Sequence, residues 1–262
     1  MQQISLSQKA STMIGAVVAA TIVGAGLFMF VPQAFAAAPT MEATTITADT
    51  DGNGTVDQVT VFFNEAADLD DTGGVADGFD SIQFNNSCII ANGDYTGAGV
   101  LSMAFTLTSC AANNTAITPT AAYTAVASCA TNFSICDDAE GAQMANSEAQ
   151  VAADGAKPAV LIAATSDNDS NGTVDRLALT FSESVTITDG GTDNDFTLVA
   201  SSGTATITAG TYGATATTLT YTITVSDGGN TSLTIAPTYD ATAGAGDITD
   251  ASANEMANAE TV

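Results

Sequence analysis

Two acidic stretches of the chain place oxygen-bearing side chains at the same spacing. They read Asp-Thr-Asp-Gly-Asn-Gly-Thr-Val-Asp over residues 49–57 and Asp-Asn-Asp-Ser-Asn-Gly-Thr-Val-Asp over residues 167–175. Carboxylate, amide and backbone carbonyl oxygens are hard ligands, and Ca²⁺ takes roughly six to eight of them in proteins. Each stretch therefore predicts a calcium-binding loop.

The order of residues in each loop matches the first nine positions of an EF-hand calcium loop, including the glycine that permits its sharp turn. The twelfth position, which needs a bidentate Glu, holds Thr60 or Ala178 instead. Weak sites are therefore expected, with dissociation constants of about 10⁻⁴–10⁻³ M, and Glu65 or Glu183 are the candidates to complete a shell. The predicted ligands, with the two threonines acting through their carbonyls, are Asp49, Asp51, Asn53, Thr55 and Asp57, and Asp167, Asp169, Asn171, Thr173 and Asp175.

The alternative to a metal site is an Asx-rich turn that caps a strand. The chain has 29 acidic residues against 3 basic ones, an excess that also suits a protein adapted to high salt. Salt adaptation does not explain why Asp recurs at fixed positions in two loops. The duplicated spacing therefore favours calcium.

The same composition excludes several classes of function. A surface this acidic repels nucleic acid, which is bound through clustered Lys and Arg. The chain has no histidine, so it has no Ser-His-Asp triad and no His-ligated zinc. We predict no catalytic residues and no enzymatic activity. Disorder is also excluded, because 45% of the residues are hydrophobic and can form a core.

The acidic loops belong to a longer internal repeat. The similarity continues from the loops into residues 58–65 and 176–183, which lie 118 residues apart in the chain. Ala153 to Pro158 form a short polar turn between the copies. We predict a first domain over residues 37–153 and a second over residues 154–262, called the first and second repeats below.

Within each repeat, apolar residues alternate with threonine. Leu219, Tyr221 and Ile223 are separated by Thr220 and Thr222, the period of a strand with one buried face. About seven short strands with Gly, Asn and Asp turns predict an antiparallel β-sandwich in each copy. The closest approach to a helix is 138–150, which has the composition for one short helical turn. The predicted strands are 43–48, 58–63, 79–84, 88–92 and 100–108, then 159–165, 177–181, 184–188, 195–199, 204–208, 219–225 and 231–237.

These motifs resemble the bacterial Ig-like domains of S-layer and adhesin-type cell-surface proteins. The resemblance is carried by the acidic loop with its following Phe-x-Glu strand (Asp49–Glu65 and Asp167–Glu183) and by Asp154–Pro158, which opens the second copy. It covers nearly all of residues 37–262. It implies an all-β protein of two tandem Ig-like sandwiches, an extracellular location, and a structural or adhesive role.

The first 36 residues predict a secretory signal peptide. Lys9 precedes an uncharged run from Met13 to Val31, Pro32 ends the run, and Ala34-Phe35-Ala36 supplies the small-x-small cleavage pattern. We predict cleavage before Ala37, with no membrane insertion afterwards and release to the cell surface. An uncleaved membrane anchor and a pilin-type signal cut near Lys9 are the alternatives.

Four cysteines lie in the first repeat, and none forms a Cys-x-x-Cys pair. In an oxidising compartment an even number predicts disulfides. Three pairings are possible, and we favour the one whose first bond would join neighbouring strands; four free buried thiols are the alternative. The favoured bonds are Cys88–Cys110 and Cys129–Cys136.

The sequence predicts a structural protein of the cell surface, such as an S-layer subunit or a stalk. Its expected partners are calcium ions and other copies of itself in a surface lattice. The alternative is an adhesin that recognises a glycan or a protein through long polar loops, at 68–80, 113–120 and 227–231. Solution state distinguishes the two, since a lattice protein assembles and an adhesin stays monomeric.

Overall fold

The computed structural model describes residues 37–70, 82–91, 95–125, 129, 134–138, 141–187, 196–210, 215–240 and 248–257. The structure below belongs to the compact unit Ala38–Val262. The fold is all-β: the described residues contain no helix, and the strands pair antiparallel. Accordingly, none of the described segments is a helix able to cross a membrane. The predicted signal peptide lies outside the described residues.

The first repeat contains two sheets. Its strands are β1 (Ile46–Ala48), β2 (Gln58–Asp70), β3 (Ile82–Phe84), β4 (Ile89–Ile90), β5 (Gly97–Ser109), β6 (Thr120–Tyr123), β7 (Ser134–Asp137) and β8 (Ala149–Val151). The larger sheet has the order β1-β2-β5-β4, with β7 also paired to β2. The smaller sheet has the order β3-β6-β8. Two antiparallel sheets of this kind are consistent with the predicted β-sandwich.

The second repeat follows the same plan. Its strands are β9 (Val160–Ser166), β10 (Arg176–Ile187), β11 (Phe196–Ala200), β12 (Ala205–Gly210), β13 (Ala216–Val225), β14 (Ile235–Tyr239) and β15 (Ile248–Thr249). The larger sheet has the order β12-β13-β10-β15, with β9 also paired to β10, and β11 pairs with β14. Strand for strand, β9 and β10 thus take the places of β1 and β2, and β13 takes the place of β5.

Burial follows the alternation predicted for β13. Leu219, Tyr221 and Ile223 are at most 3% exposed, while Thr220 between them is half-buried and Thr222 is exposed. Each repeat has its own hydrophobic core, drawn mainly from such inward-facing positions. Fully buried members include Val59, Val61 and Phe105 in the first repeat, and Leu177, Leu179 and Tyr221 in the second.

Some predicted boundaries were wrong. The two strands expected at 177–181 and 184–188 are one continuous strand, β10, because the polar residues between them lie in a bulge and not in a turn. In the stretch expected to be helical, the described residues 141–150 carry an isolated bridge, a turn and the start of β8. There, pairing with β6 overrides the helical propensity of Ala, Glu and Gln. The strands β6, β7, β8 and β15 were not predicted from the sequence.

A bulge interrupts the central strand of both repeats. In β2, Phe62 and Ala67 pair with Ser102 and Val100, and in β10, Thr180 and Val185 pair with Thr218 and Ala216. The central strand thus gains extra residues at the Phe-x-Glu motif. In β10, Phe181, Ser182 and Glu183 are buried in succession, so the alternation fails there. Bulges redirect side chains in this way, and here the bulge buries Glu183.

The two disulfides join Cys88 to Cys110 and Cys129 to Cys136. This is the pairing favoured from the sequence. The first bond connects the ends of the neighbouring strands β4 and β5. The second spans the segment that leads into β7.

Candidate metal centres

The first acidic loop lies between β1 and β2 and folds around Asp49. The Asp49 carboxylate accepts hydrogen bonds from the backbone N–H groups of Gly52 at 2.9 Å, Asn53 at 3.2 Å and Gly54 at 2.7 Å. Gly54 has a φ of 80°, a conformation that glycine adopts without steric cost. The loop therefore closes through local contacts within its own residues.

Two more carboxylates join Asp49 in this loop. Asp51 accepts hydrogen bonds from the backbone and side-chain amides of Asn53, at 3.1 and 2.9 Å. Asp57, immediately before β2, accepts from the backbone N–H and the hydroxyl of Thr50, at 2.9 and 2.7 Å. One oxygen of each of Asp49, Asp51 and Asp57 lies within 4.8 Å of the others. This spacing can hold a metal ion.

The second loop, between β9 and β10, reproduces this arrangement. The Gly172 N–H donates to Asp167 at 2.7 Å, and Asn171 donates its backbone and side-chain amides to Asp169 at 3.1 and 2.8 Å. Asp175 accepts from the backbone N–H of Asn168 at 2.7 Å. Oxygens of Asp167, Asp169 and Asp175 also lie within 4.8 Å of one another. The repeated sequence has produced a repeated cluster.

The asparagines and threonines of the loops make other contacts. The side-chain oxygens of Asn53 and Asn171 accept hydrogen bonds from the N–H groups of Thr55 and Thr173, at 2.9 and 2.8 Å. An asparagine oxygen engaged in this way becomes a metal ligand only after its side chain rotates. The hydroxyls of Thr55 and Thr173 accept from the N–H groups of Asn113 and Gly229, both at 3.2 Å. They fasten each loop to a neighbouring loop, and the carbonyl role of both threonines stays a prediction.

Asp49 shows the electrostatic cost of this packing. Burial raises its pKa above the ordinary value, the neighbouring Asp51 side chain raises it further, and the N–H groups around it partly offset the rise. A nearby cation would favour the ionised form of these carboxylates. Calcium is such a cation, because it binds carboxylate oxygens, and the bound ion would neutralise their charge.

A third acidic cluster had not been predicted. Asp154, Glu183 and Asp250 place one oxygen each within 4.8 Å of the others. Glu183 is 6% exposed and Asp250 is 5% exposed. Burial, followed by the charge of Asp250, raises the pKa of Asp154 to about 6. Burial also raises the pKa of Glu183 to about 7, although a hydrogen bond from Thr115 opposes the rise.

The third cluster lies where the two repeats meet. The Thr115 hydroxyl of the first repeat donates to Glu183 and lies 2.7 Å from the Ser182 hydroxyl. The Asn254 side-chain amide donates to the Asp250 carboxylate at 2.8 Å and to the Asp154 backbone carbonyl at 3.2 Å. The Asp154 Oδ1 atom is buried and has no hydrogen-bond partner among the described residues.

Glu183 was expected from the sequence to be a candidate for completing the ligand shell of the second loop. It does not join that loop. It lies eight positions after Asp175 along β10, or roughly 26 Å of extended chain. It groups with Asp154 and Asp250 instead. No sequence spacing pointed to this cluster, because its three members come from the inter-repeat turn, a strand bulge and a loop after β15. The Phe-x-Glu motif was the only local signal.

The structure therefore defines an all-β protein whose described residues include three acidic clusters able to hold a metal ion. No protein-family model matches the chain, and neither do curated proteins or solved structures. The function must accordingly be argued from the clusters and their surroundings.

Proposed function

We propose that the chain is an exported structural protein of the cell surface, an S-layer or stalk component whose tandem Ig-like domains are stabilised by calcium. The single observation that carries the proposal is the duplicated carboxylate cluster of the two acidic loops. Asp49, Asp51 and Asp57 recur as Asp167, Asp169 and Asp175, with oxygens within 4.8 Å in both copies. The carboxylate positions are the same in both copies, whereas the residues between them differ, with Thr50 and Gly52 replaced by Asn168 and Ser170.

Calcium would act as a stabiliser in this role. Each loop connects the edge strand of a larger sheet to its central strand, so an ion held there would link the two strands. It would also offset the repulsion among carboxylates that burial and proximity impose on the loops. The role needs no catalytic group, in agreement with the prediction that the chain is not an enzyme.

An extracellular location is supported by two features. Disulfides form and persist in oxidising compartments, and the chain carries two of them. Extracellular calcium also reaches the millimolar range in which weak loops of this kind bind. The predicted signal peptide completes this proposal.

A calcium titration of the thermal unfolding transition tests the proposal. With dissociation constants of about 10⁻⁴–10⁻³ M, raising calcium to about 10 mM should add roughly 1.4–2.7 kcal/mol per site to the free energy of unfolding. Asp51→Asn and Asp169→Asn should each remove one contribution, and the double variant should remove both. Asp138→Asn, an exposed carboxylate outside the clusters, is the matched control.

The contradicting result is a melting temperature that calcium does not change beyond the effect of NaCl at equal ionic strength. The acidic loops would then be ordinary turns, and adaptation to high salt would account for the charge. Light scattering in the same titration addresses the structural role, because a lattice component assembles.

A second candidate function is ligand binding by an adhesin. A cleft of about 660 Å³ lies beside the Cys129–Cys136 disulfide and is lined by Asp68, Gly97, Asp137 and Asp138, among others. Its volume falls within the range of small-ligand sites, and it adjoins one of the long loops predicted to bind a ligand. Another of those loops, 113–120, contains Thr115, which is fully buried against the second repeat and is not available to a ligand.

A further inference from the structure

The contact between the two repeats joins two different surfaces, a loop surface on the first repeat and a receiving surface on the second. The first repeat contributes its acidic loop and the neighbouring loop with Thr115. The second repeat contributes the surface around Leu161, Ser182 and Glu183. A Cβ atom added to Gly54 would lie 2.4 Å from Leu161 Cδ2 and 3.2 Å from Ser182 Cβ, so the glycine allows the two surfaces to approach closely.

The second repeat carries its own counterpart of the loop surface, and that counterpart is exposed. The Asn113 N–H donates to Thr55, and the Gly229 N–H donates to Thr173 in the same way. Thr115 and Thr231 each lie two residues after the donor, so Thr231 is the counterpart of Thr115. Thr115 is fully buried, whereas Thr231 is exposed. Gly172 has a φ of 88°, and no atom of the described residues lies within 4 Å of an added Cβ, in contrast to Gly54.

The first repeat carries its own counterpart of the receiving surface. Glu65 takes the place of Glu183, and Asn64 takes the place of Ser182, since each accepts a backbone hydrogen bond from the segment before the first strand. Asn64 is exposed. Glu65 Oε1 is buried with no hydrogen-bond partner among the described residues, which is a costly state for a polar atom.

We infer that these two surfaces bind each other in different molecules, so that copies of the chain associate head to tail. The loops of the second repeat in one copy dock on the first repeat of the next, in the manner of the contact inside each chain. Thr231 takes the role of Thr115 and supplies a donor near Glu65. Such a heterologous contact produces open chains unless the rotation between successive copies closes a ring.

A further difference between the two receiving surfaces, at Glu42 and Leu161, weakens the contact between copies. Met41 bridges to Phe63 as Val160 pairs with Phe181 in the other repeat. The residues that follow Met41 and Val160, Glu42 and Leu161, are therefore equivalent. An exposed Glu42 therefore stands where the apolar Leu161 meets Gly54 in the internal contact. The contact between copies is weaker than the tethered one for this reason, and because it lacks the effective concentration of a covalent linker.

The inference deepens the proposed structural role but rests on the repeat–repeat contact alone. Its test is sedimentation velocity of the purified protein from about 1 µM to about 1 mM, at fixed calcium and ionic strength. The wild-type protein should form open-ended oligomers that lengthen with concentration. Glu42→Leu should raise the association constant about tenfold, the effect of burying one leucine.

Two blocking variants make the test specific for head-to-tail contact. Thr231→Tyr blocks the loop end and Asn64→Tyr blocks the receiving end; both sites are exposed, and unchanged melting curves would verify folding. Each variant alone should stay monomeric, whereas an equal mixture should form dimers and nothing larger. A wild-type monomer at all concentrations, blocked variants that still oligomerise, or a mixture without dimers would each overturn the inference. A calcium-independent melt with intact head-to-tail assembly would count against the calcium proposal only.

Discussion

The Thr115 hydroxyl donates a hydrogen bond to the Glu183 carboxylate, 68 residues further along the chain and in the other repeat. Thr115 is fully buried and Glu183 is 6% exposed, so solvent cannot replace either partner. The strand bulge at the Phe-x-Glu motif buries Glu183 at this position. The bond therefore links the acidic-loop end of the first repeat to the central strand of the second.

Removal of this hydrogen bond should destabilise the protein. Thr115→Val keeps the shape of the side chain but leaves the Ser182 hydroxyl and the Glu183 carboxylate short of a partner. The expected loss is about 1–3 kcal/mol in the free energy of unfolding, measured by urea denaturation. Thr231→Val, at the exposed counterpart position, is the control and should change stability little. Equal losses in the two variants would contradict the role assigned to Thr115.

The two loop glycines should respond differently to alanine. Gly54 and Gly172 both have positive φ, 80° and 88°, so alanine at either site costs about 1–2 kcal/mol in backbone strain. Only at Gly54 does the added Cβ collide with Leu161 and Ser182, which should add about 1–3 kcal/mol. Thermal unfolding of both variants measures the difference. A larger loss for Gly172→Ala would argue against the repeat–repeat contact.

The third acidic cluster should make the metal-free protein less stable as pH rises. Burial raises the folded pKa of Glu183 to about 7 from 4.5, and that of Asp154 to about 6 from 3.8. Between the unfolded and folded values the native state binds more protons than the unfolded state, so stability falls with increasing pH. In excess chelator we expect the decline to run from about pH 4 to about pH 7.

Glu183→Gln should flatten this decline, because glutamine keeps an acceptor for Thr115 and cannot ionise. Urea denaturation at a series of pH values provides the measurement. Glu42→Gln, which removes an exposed carboxylate, controls for the change in net charge. If Glu183→Gln kept the full wild-type slope, the decline would have to come from other groups.

The two disulfides should contribute unequally to stability. In the loop-entropy relation, a separation of 22 residues for Cys88–Cys110 gives about 3 kcal/mol, and one of 7 for Cys129–Cys136 gives about 2 kcal/mol. Paired Cys→Ala variants, unfolded in guanidinium chloride, should follow this order. The reverse order would show that strain or unfolded-state structure dominates.

Much of the fold could be predicted from short segments of sequence. The alternation in 219–225 was confirmed as β13, since a strand exposes every second side chain to the same environment. The strand pairs of the bulge could not be predicted, because the extra residues in β2 and β10 are defined only by their partners β5 and β13. The bulge occurs in both repeats, and Glu183 is the more buried of the two glutamates because Thr115 of the first repeat packs against it.

The sequence by itself determined the two acidic loops. Their carboxylates lie within nine residues and are held by hydrogen bonds inside the same segment, so local order was enough to bring Asp49, Asp51 and Asp57 together. Only the tertiary structure decided the grouping of Asp154, Glu183 and Asp250 and the burial of Thr115. These residues are distant in the chain, and long-range strand pairing and the docking of one repeat on the other bring them together.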